Sequence, residues 1–319
     1  MLSLFKKHLL QNTLAAVCPE IGGISSARVR RERDLPPTLE MCNFQPLGPG
    51  DSDIKQLEKL TRENELDRCA CVSLVELGTY SLLMVEAPDV QPGELRAAIR
   101  WRIKDLIDFH IDDAVIDVFE VPDTKTAGRN KMMYAVVARS SIVKQRVDQL
   151  LDAGLNLTIV DIPELALRNV ASLLPEDVGG VGLIYIGKDR GLITITRQQT
   201  LYLSRRIERG ISSLPETPVH ASARDVLESW LDGIIVELQR SLDYYESHFS
   251  QPQVSGVVIA PLPRPLEGVA EYISEQIDIP ARVLDVNSLI DVQAPLEQEL
   301  QSRCLLAIGA ALRQETRVL

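Results

Sequence analysis

Two stretches of this chain constrain its fold more than any other feature. In the first, Thr13–Cys18, Ile24–Arg31 and Thr38–Phe44 read as strands, Gly22–Gly23 turns the chain between the first two, and Ile54–Asn64 has helical spacing. In the second, VGLIYIGKDRGLITITRQQTLYLSRRIERG (residues 181–210) runs three strands through glycine-containing turns. A long helical region follows from near Ala221, with Trp230, Ile234, Leu238, Leu242 and Tyr245 recurring three or four residues apart. A meander that feeds a helix, met twice, implies internal duplication. It is not the pattern of a strand entering a glycine-rich helix.

Between the two meanders the periods change. Cys69–Leu77 and Tyr80–Val85 read as strands, and ELRAAIRWRIKDLIDF as a helix with the apolar stripe Leu95, Ala98, Ile99, Ile103, Leu106 and Ile107. Ala114–Val121 and Lys131–Ala138 alternate as strands on either side of a polar loop. Ser140 or Ser141 is placed to cap a helix over Ile142–Ala153 that stops at Gly154. Residues 80–157 therefore form a small α+β unit. A strand at Leu157–Val160 and a helix at Pro163–Ser172 follow it. The second half continues with strands at Gly256–Ala260 and Ala281–Leu284 around a helix at Leu266–Glu275, and closes with an apolar helix at Leu305–Arg313.

The 319 residues suffice for two packed domains, and 45% hydrophobic with 25% charged content is ordinary for a globular chain. A net charge of −11 argues against general nucleic-acid binding, which needs a basic surface. No apolar run reaches bilayer-spanning length. The segment MLSLFKKHLL fits a short amphipathic helix, resting on the protein or touching a membrane. Five scattered cysteines suit reduced thiols rather than a disulfide framework, and isolated histidines leave no zinc pattern.

Several phrases in order, AIRWRIKDLIDFHIDDAVIDVF at Ala98–Phe119, DAGLNLTIVDIPELAL at Asp152–Leu167, Arg206-Ile207 with Gly210, VELQRSLDYYESHF at Val236–Phe249, and Gly309 with Ala311-Leu312-Arg313, resemble the PilM family. That family comprises actin-like proteins of type IV pilus assembly, and the nearest branch in kind serves MSHA pili. The resemblance implies an α/β, actin-like (ribonuclease H-like) duplicated fold with an inserted small α+β subdomain of the FtsA/PilM type. It implies a first domain over 1–175, with the insertion at about 72–157, and a second over 176–319 whose C-terminal helix (302–316) packs back on the first. It implies a cytoplasmic scaffold, peripheral to the inner membrane, that docks the cytoplasmic N-terminal tail of a PilN-like membrane protein. Other platform or motor components are further expected partners. Nucleic acid is not, nor is a transmembrane segment.

The same resemblance locates a nucleotide site, and the residues there depart from the family. At the first hairpin Glu20, Gly22 and Gly23 stand where an Asp-Ile-Gly signature is usual, with Arg28 near the basic position. At the second, Tyr185 replaces the Asp, and Gly187, Lys188, Asp189 and Arg190 fill the turn before the run ends at Gly210. A tyrosine offers Mg²⁺ no carboxylate. Pro261 and Leu262 stand where the adenine loop has two glycines, and proline cannot imitate their close approach. Glu237 and Arg240 match helix positions beside purine and ribose, or form a plain surface pair. Hydrolysis is therefore not expected and no cofactor is required, weak binding of ATP with Mg²⁺ being what the fold leaves open. The alternative is an actin-like ATPase whose ATP state regulates platform assembly.

For partner docking the best surface is the α+β unit, where Arg96, Arg100, Arg102 and Lys104 surround Trp101. Trp101 is either an interface anchor or a core residue among solvated cations. Asp161, in IVDIPE, is either the catalytic Asp that a metabolic kinase of the same superfamily would need or the cap of the helix beginning near Pro163.

Overall fold

The structure, a computed structural model, describes residues 10, 12–20, 22–33, 35–48, 53–122, 131–215 and 222–314. The amphipathic segment before Leu10 and most of the polar loop after Pro122 lie outside the described residues. So does the end of the expected C-terminal helix beyond Gln314.

Strands β1 (Thr13–Glu20), β2 (Gly23–Arg30) and β3 (Thr38–Pro46) make the first antiparallel meander. Helix α1 (Asp53–Glu63) then crosses to β4 (Ala70–Leu74), parallel to β1. Next come β5 (Tyr80–Glu86), α2 (Leu95–Ile103), β6 (Ala114–Glu120), β7 (Met132–Arg139) and α3 (Ser140–Asp152), whose strands form a separate sheet ordered β5-β7-β6. The chain rejoins the first sheet as β8 (Asn156–Asp161), parallel to β4, and leaves it through α4 (Pro163–Ala171). The second half runs β9 (Val181–Ile186), β10 (Gly191–Arg197), β11 (Thr200–Ile207), α5 (Ala223–Phe249), β12 (Gly256–Ile259), α6 (Val269–Ile277), β13 (Ala281–Val283), β14 (Asp291–Val292) and α7 (Gln298–Ala311).

The duplication is carried strand for strand. Apart from β14, the two large sheets are ordered β3-β2-β1-β4-β8 and β11-β10-β9-β12-β13. Each joins an antiparallel meander to two parallel strands. Strand β14 is the addition that breaks the symmetry, pairing Asp291 with Thr38 on the edge of β3. Two residues carry no period, so no sequence pattern announces it.

Helices α4 and α7 form a layer between the sheets. Leu167 and Val170 of α4 and Leu305 and Ile308 of α7 share one core with Ala16 and Val72 of the first sheet and Leu183 and Leu192 of the second. The two helices touch at backbone distance because Gly309 carries no Cβ, which would collide with the Ala166 carbonyl. Asn169 Nδ2 donates to the Gly309 carbonyl at 2.9 Å across the same contact. Outer faces are covered by α1 and α3 through Leu57, Leu60 and Leu150, and by α5 and α6 through Leu238, Tyr245 and Ile273.

Three local expectations are corrected. The helix read over Glu94–Phe109 ends at Ile103. Beyond it the chain folds over the end of the small sheet, tucking Ile107, Phe109 and Ile111 against its core, while the Arg139 guanidinium stacks 4.3 Å from the Phe109 ring. Tertiary packing thus overrides the helical period, and Leu106, expected on the buried stripe, is 59% exposed. At α3 neither serine caps the helix; the Ser140 hydroxyl donates to the Asp113 carbonyl instead. At α4 the first flanking residue is Ile162, and Asp161 Oδ1 accepts from the Ile162 amide at 2.8 Å while its other oxygen pairs with Arg313.

Candidate functional site: a cleft between the hairpins and an exposed unit beside it

The turns that follow β1 and β9 occupy equivalent places in the duplicated sheets, and both border one cleft of about 960 Å³. Cys18, Pro19 and Gly22 line one side, residues 185–190 the other. Leu74, Val75, Glu76 and Leu77, which leave β4, supply a third wall, and Arg303 and Leu306 of α7 a fourth.

Much of this surface is apolar or already paired. Tyr185 lines the cleft at the tip of β9 and packs against the central core. The Arg303 guanidinium lies 4.9 Å over the Phe44 ring. Asp189 accepts a 2.8 Å hydrogen bond from the Ser212 hydroxyl, and Arg190 Nε meets Glu208 Oε2 at 3.1 Å. Among the described residues no group of three or more His, Cys, Asp or Glu side chains converges to hold a metal. Mg²⁺ on ATP is held by one or two carboxylates together with phosphate oxygens and waters. The described lining has three carboxylates, Glu76, Asp189 and Glu208, the last two already engaged by Ser212 and Arg190.

Of the other sequence-singled positions Gly187 borders the cleft and the rest scatter. Glu20 closes β1 opposite Gly23, and the ring of Phe44 fills the space beside Gly23. Gly187 lies in the turn, its amide donating to the Arg190 carbonyl at 2.9 Å. Gly210 stands behind that turn: the amides of Ile211 and Ser212 donate to the Gly187 and Lys188 carbonyls, both at 2.9 Å. Glu237 and Arg240 do not reach the cleft. They pair with each other at 2.8 Å, and Glu237 also holds Arg205 of β11 at 3.2 Å. Arg28 likewise turns away, to Glu40 and the Asn64 carbonyl. Pro261 and Leu262 are buried, and the Leu262 carbonyl accepts from Gln298 Nε2 at 3.2 Å. Sequence reasoning missed Phe44, Leu74–Leu77 and Arg303. They come from the end of β3, the exit of β4 and the far end of the chain, and only the fold brings them together.

Beside the cleft, one face of the small sheet packs under α2 through Ile99, Ile103, Val118 and Ala135. Its opposite face joins the core of the second half through Val121 and Tyr134, and the Tyr134 hydroxyl donates to the Tyr202 carbonyl at 3.0 Å. Trp101 is 73% exposed on α2, with Lys104 Nζ 4.8 Å over its ring. The surrounding cations are not a bare positive face. Arg96 pairs with Asp117, Arg100 with Asp112 and the Ile111 carbonyl, and Arg102 with Glu86, at 2.9–3.3 Å. Of the two readings of Trp101, burial in the core is excluded.

Residues 83–219, spanning most of this inserted unit and the second meander, match the family described as type IV pilus assembly protein PilM. Over that stretch the chain resembles PilM. No curated protein matches it. Among solved structures it is similar to the chain in a PilM–PilN type IV pilus biogenesis complex, with 17% identity, a TM-score of 0.72, and 94% of this chain and 97% of that one covered. It is similar also to the cytoplasmic domain of EpsL, an inner-membrane component of the type II secretion system of Vibrio cholerae, at 14% identity and TM-score 0.51 over 95% and 96% of the two chains. A third likeness is a Bacteroides thetaiotaomicron protein of actin-like ATPase fold and unknown function, at 10% identity and TM-score 0.50 over 96% and 98%. These likenesses establish an actin-like fold for this chain. Among its described residues, no helix is long and apolar enough to cross a membrane.

Proposed function

We propose that this PilM-like chain is a cytoplasmic scaffold of an inner-membrane pilus-assembly platform, and that its inserted unit docks the cytoplasmic N-terminal tail of a PilN-like partner. The observation that carries this reading is Trp101. It is a large amphipathic ring, exposed on α2 and fixed by a helix whose other side is core. Such rings are where interface energy concentrates. The residue lies within the stretch matched to PilM, and the chain in the PilM–PilN complex shares its fold. In this reading two actin-like domains, 1–175 and 176–319, frame the docking unit, Arg96, Arg100 and Lys104 form the rim around Trp101, and the membrane is reached through the partner. The MSHA-type pilus is the system we assign to it, as the branch of the PilM family that the sequence resembles most in kind.

The cleft serves this scaffold as a structural joint. A Tyr185 ring, a Phe44–Arg303 stack and an engaged Asp189 stand where a nucleotide machine would keep polar groups free. One observation favours a second reading, in which the chain binds ATP weakly: both glycine turns do border the same cleft, with Lys188 and Arg303 in its lining.

Calorimetric titration of the full chain with synthetic N-terminal tails of PilN-like proteins tests the first reading. We expect saturable binding with one tail per chain, and Trp101→Ala to weaken it by about 2 kcal/mol or roughly thirtyfold. Absence of binding by every tail overturns docking. Titration with a Mg²⁺–ATP analogue tests the second reading, where micromolar affinity would overturn our account of the cleft.

A further inference from the structure

Tyr80 is the first residue of β5, and three parts of the molecule meet on it. Its hydroxyl donates to Glu164 Oε2 of α4 at 2.5 Å. Its carbonyl accepts from Arg206 Nη2 of β11 at 2.6 Å, and the same guanidinium lies 4.8 Å over its ring. Tyr80 is 3% exposed and Glu164 1%. Val75, Ala138 and Ile162 enclose the group in a small core of its own.

Stability alone does not call for such a cluster. Apolar residues of similar volume fill a buried joint at lower desolvation cost than a carboxylate and a guanidinium. A polar cluster is satisfied in one geometry only, because each misplaced partner leaves a buried polar group unpaired. It therefore specifies orientation. Here the specified orientation is that of the inserted unit, which enters on β5, relative to the first half through α4 and the second through β11.

The residues just before Tyr80 run along the cleft. Val75, Glu76 and Leu77 line it, as does Arg190 at the tip of the second hairpin. Arg190 Nη1 reaches the Leu77 carbonyl at 3.5 Å while its Nε is held by Glu208. Gly78, at φ +93°, leaves the space that the Arg190 guanidinium occupies. A short strap, residues 75–80, thus has the cleft lip at one end and the polar cluster at the other.

We propose that Tyr80, Glu164 and Arg206 are positioning residues that lock the inserted unit against both halves, and that the strap couples this lock to the hairpin at Arg190. The inference rests on the docking reading only for what pulls on the unit. A partner bound there shifts the stability of the cleft lip, and a ligand at the lip shifts partner affinity by the same factor.

Hydrogen exchange of the unliganded full chain tests the coupling without any partner. Tyr80→Phe deletes one hydroxyl, and Arg206→Met keeps the stem while removing the donors. Both are expected to speed exchange about tenfold or more over residues 75–86 and also over 186–190, while 234–245 in the middle of α5 keeps its protection. Glu164→Gln, which retains an acceptor, is expected to stay within about threefold of wild type. Unchanged exchange at 186–190 in Tyr80→Phe overturns the proposal, as does a uniform rise that includes α5. If Arg206→Met fails to fold, Tyr80→Phe alone decides. Failure of every tail to bind would overturn docking and leave this result standing.

Discussion

Arg313→Met perturbs the ion pair that ties the end of the last helix to the first half. Arg313 pairs with Asp161, whose side chain is 5% exposed against 14% for the arginine. Burial pushes the Asp161 carboxyl above its usual range, and Arg313 opposes that by favouring the charged form. Removing the guanidinium leaves a buried carboxylate that keeps the Ile162 amide and, through space, the charge of Arg168. Breaking a buried pair by removing one partner costs up to about 3–5 kcal/mol. For 319 residues the unfolding entropy is about 0.7 kcal/mol/K, so the melting temperature should fall by up to about 4–8 °C at pH 8. The sign of the pH effect is fixed. A carboxyl whose folded pKa is raised contributes stability below its unfolded pKa and loses it as pH rises through the folded one. The deficit of the variant should therefore be larger at pH 8 than at pH 5, where Asp161 is closer to neutral. Thermal melts of wild type, Arg313→Met and the double variant Asp161→Asn/Arg313→Met at both pH values provide the assay. The double variant should recover most of the loss. A deficit independent of pH, or a double variant as unstable as the single, would refute the orphan-charge argument and assign the cost to lost packing.

Other consequences are checked more quickly. Gly309→Val drives a side chain into the Ala166 backbone, and overpacking of about 1–3 kcal/mol or more should appear as a lower urea midpoint. Glu176 is held below its usual pKa by the Arg282 guanidinium, at 2.6 and 3.0 Å. Its stabilising contribution is present above the unfolded pKa and lost as pH falls through the folded one, so Glu176→Gln should matter at pH 7 and little at pH 3. Of the five thiols Cys18, Cys69, Cys71 and Cys304 are buried and Cys42 half-buried, so a thiol reagent should modify one cysteine rapidly in native protein and five in urea. Trp101→Ala should leave the melting temperature within about 1 °C, since its ring is exposed.

The architecture was legible because its elements are long enough to carry a period. The stripe from Trp230 to Tyr245 is buried along α5, and the two meanders lie where alternation and glycine turns put them. The helix around Trp101 was overextended, because the decision to stop at Ile103 is made by Phe109 and Ile111 reaching the sheet, which no local pattern contains. The cleft was half legible. Gly22, Gly187 and Asp189 border it, whereas Glu237 and Arg240 fit a helical surface equally well and lie elsewhere. Exposure of Trp101 was undecidable from spacing, since it stands beside the stripe rather than on it or opposite.

What the central layer does to the cleft bears on which function the fold favours. A nucleotide machine of this plan needs its halves to hinge, opening and closing on the ligand. Here the helices between the sheets are one close-packed core containing residues of both, with backbone contact at Gly309 and Ala166 and a hydrogen bond from Asn169 across it. Packed cores of this kind are bistable or rigid rather than smoothly deformable. Arg313 and Asp161 fasten the same joint at its edge, and Tyr80, Glu164 and Arg206 fasten the inserted unit beside it. Each fastening raises the cost of hinge motion and lowers the cost of presenting Trp101 in one orientation. In the docking reading proposed above, pre-organisation of that sort lowers the cost of binding a partner.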